Sequence, residues 1–290
     1  MNSRWGIYLK ERFPVIPNFL IALGLTQSIR ILCRGLSVET PALASWFGVI
    51  GGMLFLAQLR FMDEYKDFEK DKIAHPERPL PRGLFTHDEF GMWITRFNIA
   101  MVLFSVLCMI FLNLASGILF ALGTVYLYLM FVEFYVGKWL SDRPLLYAIT
   151  HQAILFPLGA FAFACFWPDG LNQPYPWRFC FLLLGTFFGF EVGRKLDPNS
   201  NPILKTYLYL YGKKKTTALL LLMLGISTFA AWKLYIFALL GPLYFLIALS
   251  TPLLWKKPEK FKIIEGLVVL YLLVAIWAIP LKSLIWGNYP

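Results

Sequence analysis

Four carboxylates open the segment of this chain richest in groups that could do chemistry: Asp63, Glu64, Asp67 and Asp71. At about 100° per helical residue, with Asp63 as origin, they fall near 0°, 100°, 40° and 80°, stacked on one face. Like charges one turn apart destabilise a helix by about a few tenths of a kcal/mol per pair. Such a face makes sense when a cation neutralises it. Mg²⁺ takes oxygen ligands, commonly one or two carboxylates completed by phosphate oxygens and water. Lys66, Lys70 and Lys72 are interleaved with the acids, so a solvated loop of mixed charge is the plainer reading. On the same wheel these lysines fall near about 300°, 340° and 180°, outside the acidic sector. The plainer reading explains the mixture of charge but not this sorting.

Cations recur in three further patches: Arg78 within His75-Pro76-Glu77-Arg78-Pro79-Leu80-Pro81-Arg82-Gly83, Lys138 after Tyr135-Val136-Gly137, and Arg194-Lys195 after Glu191. Composition indicates the scaffold that must position them. Of 290 residues, 58% are apolar and 15% charged, against about 45–50% and about 25% in soluble domains. Ile99 to Leu112 and Leu219 to Trp232 carry no charge. A soluble domain, a coiled coil, a collagen and a disordered chain are all excluded. Cys33, Cys108, Cys165 and Cys180 lie in apolar stretches without framework or metal-ligand spacing, which removes a secreted disulfide scaffold.

A spanning helix needs about 20 mainly apolar residues. That length fits nine times, near 13–33, 42–62, 90–112, 115–134, 145–166, 178–194, 215–232, 234–254 and 264–285. The expected fold is an all-α integral membrane protein of about nine transmembrane helices, one domain over 1–290 embedded in the lipid bilayer. With a cytoplasmic N-terminus, the inner segments carry 21 Lys and Arg and the outer ones 5, as the positive-inside rule requires. The net charge of +10 is thereby sorted along a membrane, and no nucleic-acid partner is expected. The inner loops lie near 60–89, 135–145, 191–216 and 255–263, so every patch named above faces the cytoplasm. Met1 to Arg12 is mixed and charged, without a small-residue cleavage site, so no cleavable signal peptide is expected.

The run Asp63-Glu64-Tyr65-Lys66-Asp67-Phe68-Glu69-Lys70-Asp71 resembles the N-D-x-x-D-x-x-x-D motif of the UbiA superfamily of membrane prenyltransferases. Asp63 replaces Asn and Glu64 replaces Asp, both keeping oxygen ligands. Pro76 to Gly83 resembles the P-x-R-P-x-x-x-G that follows in that family, and Tyr135-Val136-Gly137-Lys138 is similar to its Y-x-x-K element. Glu191 to Asp197 stands where the family carries a second acidic motif, and Thr206 to Lys215 resembles the T-x5-G-K-K-K beyond it. There the acids depart from the pattern. The family spaces Asp residues four apart, whereas Lys195 lies four after Glu191. Asp197 would lie about 240° from Glu191 on a continued helix, and Pro198 ends that helix.

The resemblance implies nine helices around a central cavity, Mg²⁺ as cofactor, a prenyl diphosphate as substrate and a lipophilic acceptor. It further implies metal binding by Asp63, Glu64, Asp67, Asp71 and Glu191, and diphosphate binding by Asn18, Arg78, Tyr135, Lys138, Arg194 and Lys195. Asp67, Asp71 and Lys138 would carry the ionisation, in which cations stabilise the departing diphosphate. Lys138 also reads as an ordinary positive-inside anchor. The 191–197 patch also reads as a basic loop that has lost its metal. His151 and Gln152 fit either acceptor contact or interhelical hydrogen bonding. Two rival functions stand beside prenyl transfer. One is a terpene cyclase of the same fold, and the other a cation-coupled transporter, whose charges would lie near mid-membrane rather than at the inner boundary.

Overall fold

The computed structural model describes residues 3–287, and regular structure within them is helical throughout. A short α1 (Arg4–Arg12) precedes α2 (Val15–Gly35), α3 (Ala42–Lys66) and α4 (Phe68–Ala74). Next come α5 (His87–Phe111), α6 (Leu114–Phe131), α7 (Gly137–Ser141), α8 (Pro144–Gln152) and α9 (Leu155–Ala164). The remainder is α10 (Pro174–Gly193), α11 (Tyr207–Lys233), α12 (Phe237–Ser250), α13 (Pro252–Lys256) and α14 (Phe261–Trp286).

Among the described residues, eight segments are long and apolar enough to cross a membrane: α2, α3, α5, α6, α8 with α9, α11, α12 with α13, and 258–286. The remaining expected span, 178–194, is α10. Its proline-rich start, Arg178 and Glu191 make it less apolar, yet its 20 residues form a helix about 30 Å long. It packs on α9 and α11. Neighbours follow chain order: α2 packs on α3, α3 on α5, α5 on α6, α6 on α9 and α9 on α10. The series continues through α11, α12 and α14, and α14 returns to α2. The passes therefore close into a ring. Ser28 Oγ donates to the Ile276 carbonyl (2.9 Å) where the ring shuts. Thr186, Ser227, Thr228 and Tyr271 form a buried hydroxyl knot between α10, α11 and α14, the interhelical bonding that apolar surroundings favour.

Three local features differ from expectation. The first twelve residues read as a charged leader to the first span, but 4–12 form α1, folded back so that Tyr8 is fully buried. The expected span 145–166 is two helices. Pro157 has no N–H for the Ala153 carbonyl and its ring crowds that oxygen, so the chain breaks at 153–154 and Phe156 bonds Ala153 instead. The seventh span starts at Tyr207, capped by Thr206, rather than near 215. It is interrupted at Gly212 (φ 71°, ψ 172°), a conformation open almost only to glycine.

Candidate active site

The last turn of α3 presents Asp63. Backbone i→i−4 bonds continue past it, from the Asp67 N–H to Asp63 and from the Asp71 N–H to Asp67, so the three aspartates remain one turn apart despite the junction with α4. Their surroundings separate them. The Asp71 side chain is buried and accepts Arg78 Nη1 on both oxygens at 2.7 Å. Glu64 turns the other way: its carboxylate is buried and paired with the Arg12 guanidinium of α1, with Arg60 Nη1 at 4.0 Å. Tyr8 lies beside it, and burial, reinforced by the Glu64 charge, raises the phenol above its ordinary range. Asp67 is half-exposed, with Lys70 Nζ at 3.9 Å. The Asp63 side chain keeps accessible surface at the inner end of α3. Arg60, Asp67, Lys66 and Arg194 are the charges that act on it.

Lys66 reaches inward rather than to solvent. Its ammonium donates to the Met130 carbonyl (3.2 Å) and the Tyr147 hydroxyl (3.1 Å), and pairs with Glu133 (3.2 Å). Glu133 belongs to a left-handed turn in which Glu133, Phe134 and Tyr135 have φ of 52°, 54° and 59°. Its carboxylate rests against Gly137, where any Cβ would collide with it. This explains the glycine of the Tyr135–Lys138 patch. Tyr135 itself points outward, 74% exposed, and its hydroxyl interacts with Tyr128, which raises its pKa. Lys138 is exposed on α7.

Glu191 is shared among Gln152 Nε2 (2.8 Å), Lys195 Nζ (2.9 Å) and the Tyr207 hydroxyl (3.3 Å). His151, at the lip of the α8–α9 break, holds Nδ1 2.8 Å from the Tyr147 carbonyl, which makes that nitrogen the donor. Arg194 is exposed and acts on both Glu191 and Asp63, so the two halves of the candidate site face one another. α4 packs on the Pro202–Leu204 turn, bringing the loops that flank them together. Asp197 accepts the Asn199 N–H at 2.9 Å and so shapes its own turn. Asn18 donates to the Pro14 carbonyl at 2.9 Å within the first turn of α2.

The chain thus assembles part of the expected site. No group of three or more His, Cys, Asp or Glu converges tightly enough for a metal among the described residues. Asp71 and Glu191 are satisfied by Arg78 and Lys195, and Glu64 is paired with Arg12 through Oε1 while its Oε2 is buried without a hydrogen-bond partner among the described residues. An oxygen already held by a cation is a poor metal ligand. Lys195 stands where the motif would place an acid, so the second patch is an internal ion pair and does not suit a metal ion. Asp63 with Asp67 does suit Mg²⁺, which needs only one or two protein carboxylates when phosphate and water complete its shell. The sequence reading missed Lys66 and Tyr207 as site residues. The wheel carried a signal for Lys66, since at about 300° it borders Asp63; nothing local marks Tyr207.

The model of the UbiA prenyltransferase family matches residues 32–259. A solved digeranylgeranylglyceryl phosphate synthase superposes with a TM-score of 0.62 at 17% identity, covering 94% of this chain and 99% of that one. No curated protein matches the sequence significantly.

Proposed function

Given that the chain belongs to the UbiA prenyltransferase family, and is therefore an integral membrane enzyme of prenyl transfer, we propose that it ionises a polyprenyl diphosphate at Asp63 and Asp67 and passes the prenyl group to an apolar or aromatic acceptor. The barrier to such a reaction is charge separation: the allylic C–O bond breaks, a carbocation forms, and diphosphate leaves with the electron pair. Mg²⁺ held by Asp63 and Asp67 would supply Lewis-acid stabilisation of the leaving oxygens. Arg194, across from Asp63, binds the diphosphate, and Lys138, exposed on α7, adds a second cation from the rim. Arg78 spends one nitrogen on Asp71 and offers its remaining N–H groups to phosphate. Lys66 is held inward by Glu133 and Tyr147, which keeps its charge beside Asp63 and limits repulsion among the acids. The ring of apolar helices excludes water, so the cation meets the acceptor before it is hydrated.

The observation that carries this reading is the state of Asp63. It is accessible and has no ion pair among the described residues, while its motif neighbours Glu64 and Asp71 are paired with Arg12 and Arg78. The test is diphosphate release from polyprenyl diphosphates of graded length, with and without Mg²⁺. Asp63→Asn should lower kcat by about 10²–10³-fold at unchanged helical content, and chelation of divalent ions should do the same reversibly. Turnover retained in Asp63→Asn would overturn the assignment. Cyclic products formed without acceptor would move the reaction to the cyclase alternative.

A further inference from the structure

The bundle carries a second concavity far from Asp63. Between α10, α11 and α12 a groove of about 580 Å³ is walled by apolar side chains, with Arg178 and Lys233 among its lining residues. The walls include Phe181, Leu222 and Phe229, which are 45%, 59% and 60% exposed on the outer face of the bundle. Arg178 lies in the first turns of α10 and Lys233 ends α11, so both cations sit at the end of the bundle opposite the acidic loop. They are held together there. Arg178 Nη1 donates to the Lys233 carbonyl at 3.3 Å, its guanidinium covers the Tyr175 ring, and the Lys233 ammonium sits 4.1 Å from the Trp232 ring centroid. No carboxylate lines the groove, and neither cation has a carboxylate partner among the described residues.

The dimensions point to an occupant. From Lys233 the groove descends α11 to Leu221, about 18 Å at 1.5 Å per residue, close to one leaflet of a hydrocarbon core about 30 Å thick. A channel one leaflet deep, apolar along its length and doubly positive at its head, complements an amphiphile with an acyl chain and an anionic headgroup. We propose that it seats an anionic phospholipid of the surrounding bilayer, an acyl chain between α10 and α11 and the phosphodiester on Arg178 and Lys233. Two adjacent cations without a counter-ion at a low-dielectric boundary are self-repelling, and an anionic headgroup supplies the missing charge. The site is separate from the prenyl diphosphate chemistry, and its test reads lipid rather than turnover.

The experiment is native mass spectrometry of the detergent-purified protein, delipidated and then offered phosphatidylglycerol or phosphatidylcholine of equal chain length. The wild type should retain one phosphatidylglycerol in preference, and Arg178→Gln with Lys233→Gln should reduce its retention by roughly tenfold. Gly225→Leu provides an independent arm. A Cβ there meets only Tyr244 at ordinary contact distance, so the longer side chain fills the groove without disturbing the helices, and it should abolish retention with both cations intact. Equal retention of the two lipids by the wild type, unchanged retention in the double variant, or a second copy of the chain or a prenyl lipid in place of the phospholipid would overturn the proposal.

Discussion

Asp63 and Glu64 are adjacent in the chain and differ by one methylene, yet their partners give them opposite work. Glu64 points to α1, where Arg12 neutralises it with help from Arg60 one turn back on α3, in a nearly dry setting: its side chain is 1% exposed and that of Arg12 19%. Removing one partner of a buried pair leaves an uncompensated charge and costs about 3–5 kcal/mol. Glu64→Gln should therefore lower the thermal midpoint of the purified protein markedly, while Asp63→Asn leaves it nearly unchanged and removes turnover. The reverse pattern in a melting experiment would show that Glu64 and not Asp63 holds the metal. Chemical type alone does not separate these two residues. Their directions on the last turn of α3 do, because a step of about 100° takes one to the accessible face and the other into the seam with α1.

At the scale of elements, the segment joining α6 to α7 stores strain for a purpose. Left-handed backbone costs about 1–2 kcal/mol per non-glycine residue, and Glu133, Phe134 and Tyr135 adopt it in succession. What holds the turn is the Glu133 carboxylate, seated over Gly137 and paired with Lys66. Gly137→Ala should unseat that carboxylate, lower stability and release Lys66 from its inward position. The loss should largely vanish in a Glu133→Ala background, since the new methyl then meets no carboxylate, and such non-additivity is the mark of a direct contact. Additive losses in a double-mutant melting cycle would refute the contact. The α8–α9 break serves position in a similar way. Non-helical backbone within a membrane is tolerated where it is buried or lines a cavity, and Gln152 at this break secures Glu191.

For the whole molecule, the closed ring puts the acidic loop, the Glu133 turn and the Glu191 patch at one end and the Arg178–Lys233 pair at the other. The excess of Lys and Arg on the acidic-loop side predicts that this end is cytoplasmic. All four native cysteines are buried, so background labelling is low and introduced thiols report cleanly. Lys70→Cys, whose native side chain is 61% exposed, should react with a membrane-impermeant maleimide only in inside-out vesicles. Gln173→Cys, exposed at the opposite end, should react only in right-side-out ones. Swapped accessibility would invert the orientation.

Hydropathy over about 20 residues and the acidic run are local properties. The helices, their order and the family motif were therefore legible in the chain itself, down to the lysine that interrupts the second acidic patch. Which acids remain available is a different kind of fact. Arg12 and Glu64 are 52 residues apart, and Gln152 and Glu191 are 39 apart; only the packing of separate helices brings such pairs into contact. A carboxylate's chemistry depends on the nearest opposite charge, and no sequence window contains that neighbour. The same holds for the lipid-sized groove, which exists because three helices lean together and leave Gly225 without a side chain to fill the space. The chain specified the reaction it is built for, and the packing chose which of its charges are free to perform it.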